Sequence, residues 1–324
     1  MFVILGMTAM TSVLTEAYFH DEAAAFAALE GLLWPKGPVC PHCGDKKRIG
    51  RLEGVQDKKG RVRLGLHKCY ACRQQFTVRK GTVFEASHLK LHQWFQAAYL
   101  LCSSKKGVSS NQLARTLGVT VKTGWFASHR LREAMREGKL KTPFGRRGGA
   151  VEADETFIGR VKGKPKKRAF HHKMKVLSLL DRERGRVMSV VVNDLHPMTI
   201  VPIIRKNISK EARLMTDEAT HYERVGLTFA EHGVVKHKAE EYVRGDIHTN
   251  TVEGYFSIFK RGMKGIYQHC GEQHLHRYLA EFDFRYNNRV ALGVNDGRRT
   301  KKALQGIVGK RLTYRDSSAP RVQS

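Results

Sequence analysis

No stretch of this 324-residue chain holds the roughly 18–20 consecutive apolar residues that a bilayer-spanning helix needs. That absence argues against a helical membrane protein. Cysteine is sparse, six in the whole chain, which is too few for a secreted disulfide framework of this size and suits a reducing cytoplasm. Acidic residues are scarce beside basic ones: 30 Asp and Glu face 58 Lys and Arg, a formal charge of +28. Apolar residues are not scarce, and a hydrophobic content of 41% with 30 Gly and 8 Pro excludes a disordered polyelectrolyte. The opening MFVILGM is short, lacks a basic flank and runs into acidic, alanine-rich sequence, so it makes a poor signal peptide; Met7 or Met10 would serve equally well as a start.

What is present in excess is positive charge. Each phosphate neutralised by Lys or Arg releases a condensed counterion, so such a surplus points to a nucleic-acid partner. No long basic amphipathic helix speaks for a membrane surface. The length fits two or three domains. An N-terminal helix is expected within 1–36, since 15–33 has helical periodicity and Pro35 ends it. A cysteine-bearing, β-prone module fills 37–82, helices fill 88–138, and the Gly-rich basic run 139–149 reads as a linker. Residues 150–292 alternate strand and helix patterns, predicting an α+β or α/β sheet domain. The basic stretch 293–324 reads as a tail that adds nonspecific DNA affinity or stays disordered.

The cysteines carry the sharpest spacing. Cys40-Pro-His-Cys43 and Cys69-Tyr-Ala-Cys72 form a CxxC…CxxC pair with 25 residues between the inner cysteines. Four thiolates suit one tetrahedral Zn²⁺ in a closed structural site, and a small residue beside each pair allows the tight turn. His42 is surplus to that set, and Cys102 and Cys270 read as packing residues.

In Ser110–Val119, Leu113, Ala114 and Leu117 make one apolar stripe, Gly118 supplies a turn and a second helix begins near Thr120. This is helix-turn-helix grammar, in which the second helix enters the major groove by its N-terminal end. Its polar face, Lys122, Thr123, Ser128, Arg130 and Arg132, is the expected DNA-facing side; the alternative is an ordinary helical hairpin.

Three acidic segments suggest chemistry: VEADETFIG around Asp154, LMTDEATHY around Asp217 and HTNTVEGYFSIFKR around Glu253. A strand, a strand end and a helix start can bring distant carboxylates together. Two Mg²⁺ (or Mn²⁺) ions about 3.5–4 Å apart need such hard oxygen ligands for in-line attack on a phosphodiester. Strand alternation leaves Asp154 and its neighbour Glu155 both open, with the more apolar face of Val151, Ala153, Glu155 and Phe157 favouring Asp154 as the ligand. Glu218 is likewise an alternative to Asp217. Asn250, Glu253, Ser257 and Lys260 share a helical face, although Asn250-x-x-Glu253 also fits a capping box. A lysine placed as Lys260 is can hold a DNA phosphate beside the metals. The run Gly159–Lys173 holds seven Lys/Arg and no acid; Lys164, Lys166, Lys167 and Arg168 are its expected backbone-clamping residues, against the alternative of a solvated tip.

Taken in order, CPHCG, CYACR, VEADETFIG, MTDEATHY, HTNTVEGYFSIFKRG and EFDFRYNNR make the chain resemble a bacterial insertion-sequence transposase of the DDE superfamily, in the branch bearing a zinc ribbon. The resemblance spans roughly residues 20–292. It implies an RNase H-like catalytic domain with Asp154, Asp217 and Glu253 as metal ligands and Lys260 as the associated basic residue. It also implies cleavage at an element's terminal inverted repeats, strand transfer into target duplex DNA, a homo-oligomer on two DNA ends, and a cytoplasmic, nucleoid-associated location. Some members of this branch carry Asn at the third position; here Glu keeps the acidic set complete. The resemblance leaves His248, Asn250 and the FRYNNR run without roles; Arg285 and Arg289 either contact DNA or pair with Glu281 and Asp283. A noncatalytic regulator, a dormant relic of a transposase and a repair-type nuclease are the competing readings.

Overall fold

The computed structural model describes residues 12–138, 140–166, 170–236 and 243–313. Two short 3₁₀ turns, Val13–Thr15 and Ala17–Phe19, lead into α1 (Glu22–Leu33), so the predicted helix starts later than its periodicity suggested. Asp21 caps it, its side chain accepting the Ala24 amide at 2.7 Å. Strands β1 (Ile49–Arg51), β2 (His67–Cys69) and β3 (Gln75–Phe76) form a small antiparallel sheet around the cysteines.

Three helices follow: α2 (Leu91–Ser103), α3 (Ser110–Leu117) and α4 (Val121–Met135). Gly118 takes the left-handed conformation (φ 66°) that ends α3, and Gly124 lets α4 cross close to it, where a Cβ would sit 2.9 Å from the Ser110 carbonyl. Leu29, Trp94, Leu101, Leu113 and Leu131 from these four helices bury their side chains in one core. Each such burial contributes about 2 kcal/mol.

The larger sheet is built from β4 (Ala150–Ile158), β5 (Met174–Asp181), β6 (Arg186–Val192), β7 (Arg213–Thr216) and β8 (Glu231–Val234), with α5 (Pro197–Asn207) before β7 and α6 (Thr220–Gly226) after it. Spatial order is β6-β5-β4-β7-β8. The first three strands in sequence pair antiparallel, while β4–β7 and β7–β8 are parallel. A short hairpin, β9 (Val243–Arg244) and β10 (Ile247–His248), leads into α7 (Asn250–Gly262); α8 (Leu275–Asn287) and α9 (Asp296–Gln305) complete the chain. Helices α5 and α6 cover one face of the sheet around Ala153, Leu179, Ile200 and Tyr222. Helices α7 and α8 cover the other around Val176, Val252, Phe259 and Phe282. The free edge of β6 is covered too: Asp283 and Asn287, one turn apart on α8, accept the Ser189 amide at 2.8 Å and the Val187 amide at 2.7 Å.

Two boundaries differ from expectation. The predicted basic tail forms α9, which packs on α2 and sends Ala303 and Leu304, followed by Ile307 just past its end, into the first helical core; residues 314–324 of the tail lie outside the described residues. Two of its cations are used internally: Arg299 donates to the Cys102 carbonyl (2.7 Å) and the Asn288 carbonyl (2.7 Å), and Lys310 to the Ala134 carbonyl (2.9 Å). The predicted linker is likewise packed. Phe144 is 1% exposed in the sheet core and its amide donates to the Asn207 carbonyl at 2.8 Å. No helix among the described residues is long and apolar enough to cross a membrane.

Candidate functional site

The four predicted thiols converge. Cys40 Sγ lies 3.7 Å from Cys72 Sγ and Cys43 Sγ 3.7 Å from Cys69 Sγ, with all four sulfurs within 4.8 Å of one another. A tetrahedron with Zn–S bonds of about 2.3 Å has edges of about 3.8 Å, so the set fits Zn²⁺. Both knuckles turn by the same device, a left-handed residue straight after the second cysteine: Gly44 (φ 77°) in one and Arg73 (φ 61°) in the other. Burial raises the Cys40 thiol, but amides of Cys43 and His42 aimed at the sulfur outweigh it and bring the thiol down to about 7.

On the larger sheet, alternation along β4 sends Val151, Ala153 and Glu155 toward α5 and α6, and Glu152 and Asp154 toward α7. This separates the two acids that sequence left as alternatives. Glu155 is held by its surroundings: His221 Nε2 lies 2.7 Å from its carboxylate, and the Tyr222 hydroxyl donates to the same oxygen. Asp154 accepts the Glu155 amide at 2.7 Å and faces the start of α7. Burial, with the negative charges of Glu155, Asp217 and Glu253, pushes its carboxyl up to about 8. Asp217 and Glu253 therefore both lie within electrostatic reach of Asp154, although 63 and 99 positions separate them from it.

Each partner is placed by a local device. Asp217 follows β7, and its carboxylate accepts the Ala219 amide at 3.0 Å in the turn that starts α6. Glu253 sits in the first turn of α7, where the Thr249 hydroxyl donates to it at 3.2 Å. The N-cap of α7 is Thr249 and not Asn250, so Glu253 does not take the capping-box position. Lys260, two turns on, is drawn into the same field: burial lowers its ammonium, and Asp154 and Glu253 counter that. Among the described residues the thiols are the one group of three or more His, Cys, Asp or Glu whose donor atoms all lie within 4.8 Å; the three carboxylates are more widely set. Their hard oxygens suit Mg²⁺ or Mn²⁺, and the upward push on Asp154 marks a spot whose crowded negative charge a cation would relieve.

The expected DNA-facing residues divide. Lys122 and Thr123 are exposed on the first turn of α4, and Lys164 and Lys166 are exposed between β4 and β5. Lys167 and Arg168 lie outside the described residues. Arg130 turns inward instead, donating to the Leu312 carbonyl (3.2 Å) and the Glu85 carbonyl (3.0 Å) while its guanidinium stacks 4.7 Å from the Phe126 ring. Arg132 is fully buried: it donates to Glu281 at 2.6 Å and lies between the rings of Tyr278 and Tyr267. Ser128 is buried as well, because the C-terminal half of α4 docks on α8. Arg285 shares Glu281 with Arg132, and Arg289 donates to the Gly185 carbonyl at 2.6 Å. Sequence reasoning missed Glu152 and Arg182, both of which touch the segment leading into α7; a second carboxylate two positions before Asp154 on the same strand face was the signal available.

Residues 147–287 match the family model described as the ISXO2-like transposase domain, and residues 20–75 match the transposase zinc-ribbon domain. The chain is also 26% identical over 290 residues, 82% of its own length and 91% of the relative's, to an uncharacterized protein in transposable element ISH50 of Halobacterium salinarum. One chain thus carries a transposase-type ribbon and a transposase-type domain; the relative's archaeal host gives no support for confining the likeness to bacteria.

Proposed function

We propose that this chain, with its transposase-family ribbon and transposase-family domain, is a DNA transposase acting at the terminal inverted repeats of an insertion sequence. The observation that carries the reading is the convergence of the Asp217 and Glu253 charges on buried Asp154, from a strand end and a helix start onto a strand. These three side chains would hold two Mg²⁺ or Mn²⁺ ions. When bound, such ions supply an activated water or 3′-hydroxyl and stabilise the departing oxygen of the phosphodiester.

The chain's own residues do the rest. Asp154, pushed up to about 8 by burial and the charges of Glu155, Asp217 and Glu253, would give up its proton on ligating a cation. Lys260, which feels the charges of both Asp154 and Glu253, would hold a phosphate of the strand being cut. Glu155, kept on the opposite face by His221 and Tyr222, steadies the strand without joining the ligand set. Lys122 and Thr123 at the exposed start of α4 are suited to base edges, and Lys164 and Lys166, with Lys167 and Arg168, to the duplex backbone. The strand order, three antiparallel strands followed by two parallel ones on the far side of β4, supports an RNase H-like architecture. Pairing two element ends calls for more than one copy of the chain.

The test uses purified protein, labelled duplex bearing the element's ends, a target plasmid and Mg²⁺, with Asp154→Asn alongside. Joined products from the native chain, and end binding without cleavage from D154N, are expected. Cleavage without joining would point to a nuclease, and tight binding with neither product to a regulator.

A further inference from the structure

Glu152 is fully buried, two residues before Asp154 on the same face of β4. Its carboxylate is held by two hydrogen bonds, and His248 Nδ1 lies 3.4 Å from it. One oxygen accepts the main-chain amide of Val252 at 2.7 Å, and the other accepts Arg182 Nε at 2.6 Å. Arg182 continues the chain of contacts. Its Nη2 donates to the His248 carbonyl at 2.6 Å and lies 2.9 Å from His248 Nδ1, and its Nη1 donates to the Asp246 carbonyl at 2.6 Å. Helix α7 has no side-chain cap of its own at Thr249. A helix start exposes unpaired amides and a partial positive charge, and a buried carboxylate answers both.

We propose that Glu152 and Arg182 are positioning residues for the cation site: together they clamp the entry of α7 to β4 and so set Glu253 against Asp154. This rests on the transposase reading above. The amide that Glu152 holds belongs to the residue immediately before Glu253, and the strand that carries Glu152 carries Asp154. The first and third carboxylates are therefore linked through one side chain. Arg182 fixes that side chain's orientation and ties down the turn between β9 and β10, which gives His248 a structural part. Glutamine cannot replace Glu152, because one end of its amide would present N–H groups to a donor, Val252 N or Arg182 Nε. Lysine cannot replace Arg182, because a point ammonium does not span Glu152 and two carbonyls as a planar fork does.

The test compares the native chain with Glu152→Gln and Arg182→Lys, all full length, by Mn²⁺ binding followed as loss of the free-ion electron paramagnetic resonance signal and by amide hydrogen exchange at residues 250–253. Both variants are expected to bind Mn²⁺ about tenfold more weakly, as loss of groups that orient metal ligands does elsewhere. Exchange at 250–253 is expected to quicken, while affinity for duplex ends is kept. Should E152Q fail to fold, the milder R182K carries the comparison. Native-like Mn²⁺ binding and exchange in the folded variants would overturn the clamp, even if their melting temperatures fell. A native chain that takes up no Mn²⁺ would instead count against the two-cation reading, and exchange at 250–253 would still report on the clamp.

Discussion

His129 shows what a single buried side chain can cost. It is 0% exposed on α4, its ring packs against those of Trp125, His274 and Tyr278, and neither ring nitrogen has a hydrogen-bond partner among the described residues. Burial, with Arg132 and His274 nearby, holds its pKa far below the usual histidine range; burial and Arg277 push His274 down to about 4. The folded rings refuse a proton that the unfolded chain accepts below about 6.5. They therefore carry no proton penalty above about 6.5, and stability is lost progressively as pH falls below it, through about 4 for His274 and further for His129. His129→Leu removes an unsatisfied polar group and one of the two titrations. It should raise stability by roughly 1 kcal/mol near neutrality and flatten the fall in melting temperature between about pH 6.5 and 4. An unchanged slope would show that other groups govern the acid limb.

Among the elements, the cysteine ribbon depends most on something other than its chain. Its strands run two or three residues, and its apolar centre is little more than Phe76 with Trp34 and Ile49 around the sulfurs. So small a core cannot meet the entropy of ordering the segment, and the metal must. Stripping Zn²⁺ with a strong chelator should expose Trp34, which packs edge-on to His67 (5.4 Å) and Phe76 (5.9 Å), and so red-shift its emission. The main unfolding transition should hardly move, because the helical and sheet cores do not include the sulfurs of that ribbon. A Trp34→Phe control identifies the signal, and loss of the whole fold on chelation would contradict this. The ribbon was legible because CxxC spacing is a local code. The strand carrying Asp154 was legible for the same reason. Helix α9 was not: its buried stripe is Arg299, Thr300, Ala303 and Leu304, so the period of four is there but half its members are polar. Arg130 and Arg132 misled in the same way, since a cation on an amphipathic helix reads as surface until the element that covers it is known. Which helices Asp154 and Glu155 each face could be read only from the packing on both sides of the sheet, which no alternation pattern supplies.

At the scale of the whole molecule, the helical and sheet parts are joined by buried charge. Arg132 of α4 and Arg285 of α8 both bind Glu281, which also accepts the Tyr267 hydroxyl at 2.5 Å, while Arg277 donates to Glu133 at 2.9 Å. Breaking such a pair from one side leaves an uncompensated buried ion at a cost of about 3–5 kcal/mol, so α4 and α8 are held as a unit. The path of the chain adds an order in time. Helices α1 to α4 are made first and α9 last, with the entire sheet between them, yet α9 supplies Ala303 and Leu304 to the core that α1 to α4 begin. On the ribosome, the part that would read DNA stands open along α2 until the final residues emerge, while the sheet that would cut it is already complete. A chain stopped before Asp296 should keep the sheet's amide protection, lose it across α2 and α4, and bind duplex ends poorly; full protection of α2 in that fragment would refute this. A copy cut before Asp296 would then still hold Asp154, Asp217 and Glu253 on their strands and helix while α2 stood bare, silenced by the timing of its own synthesis.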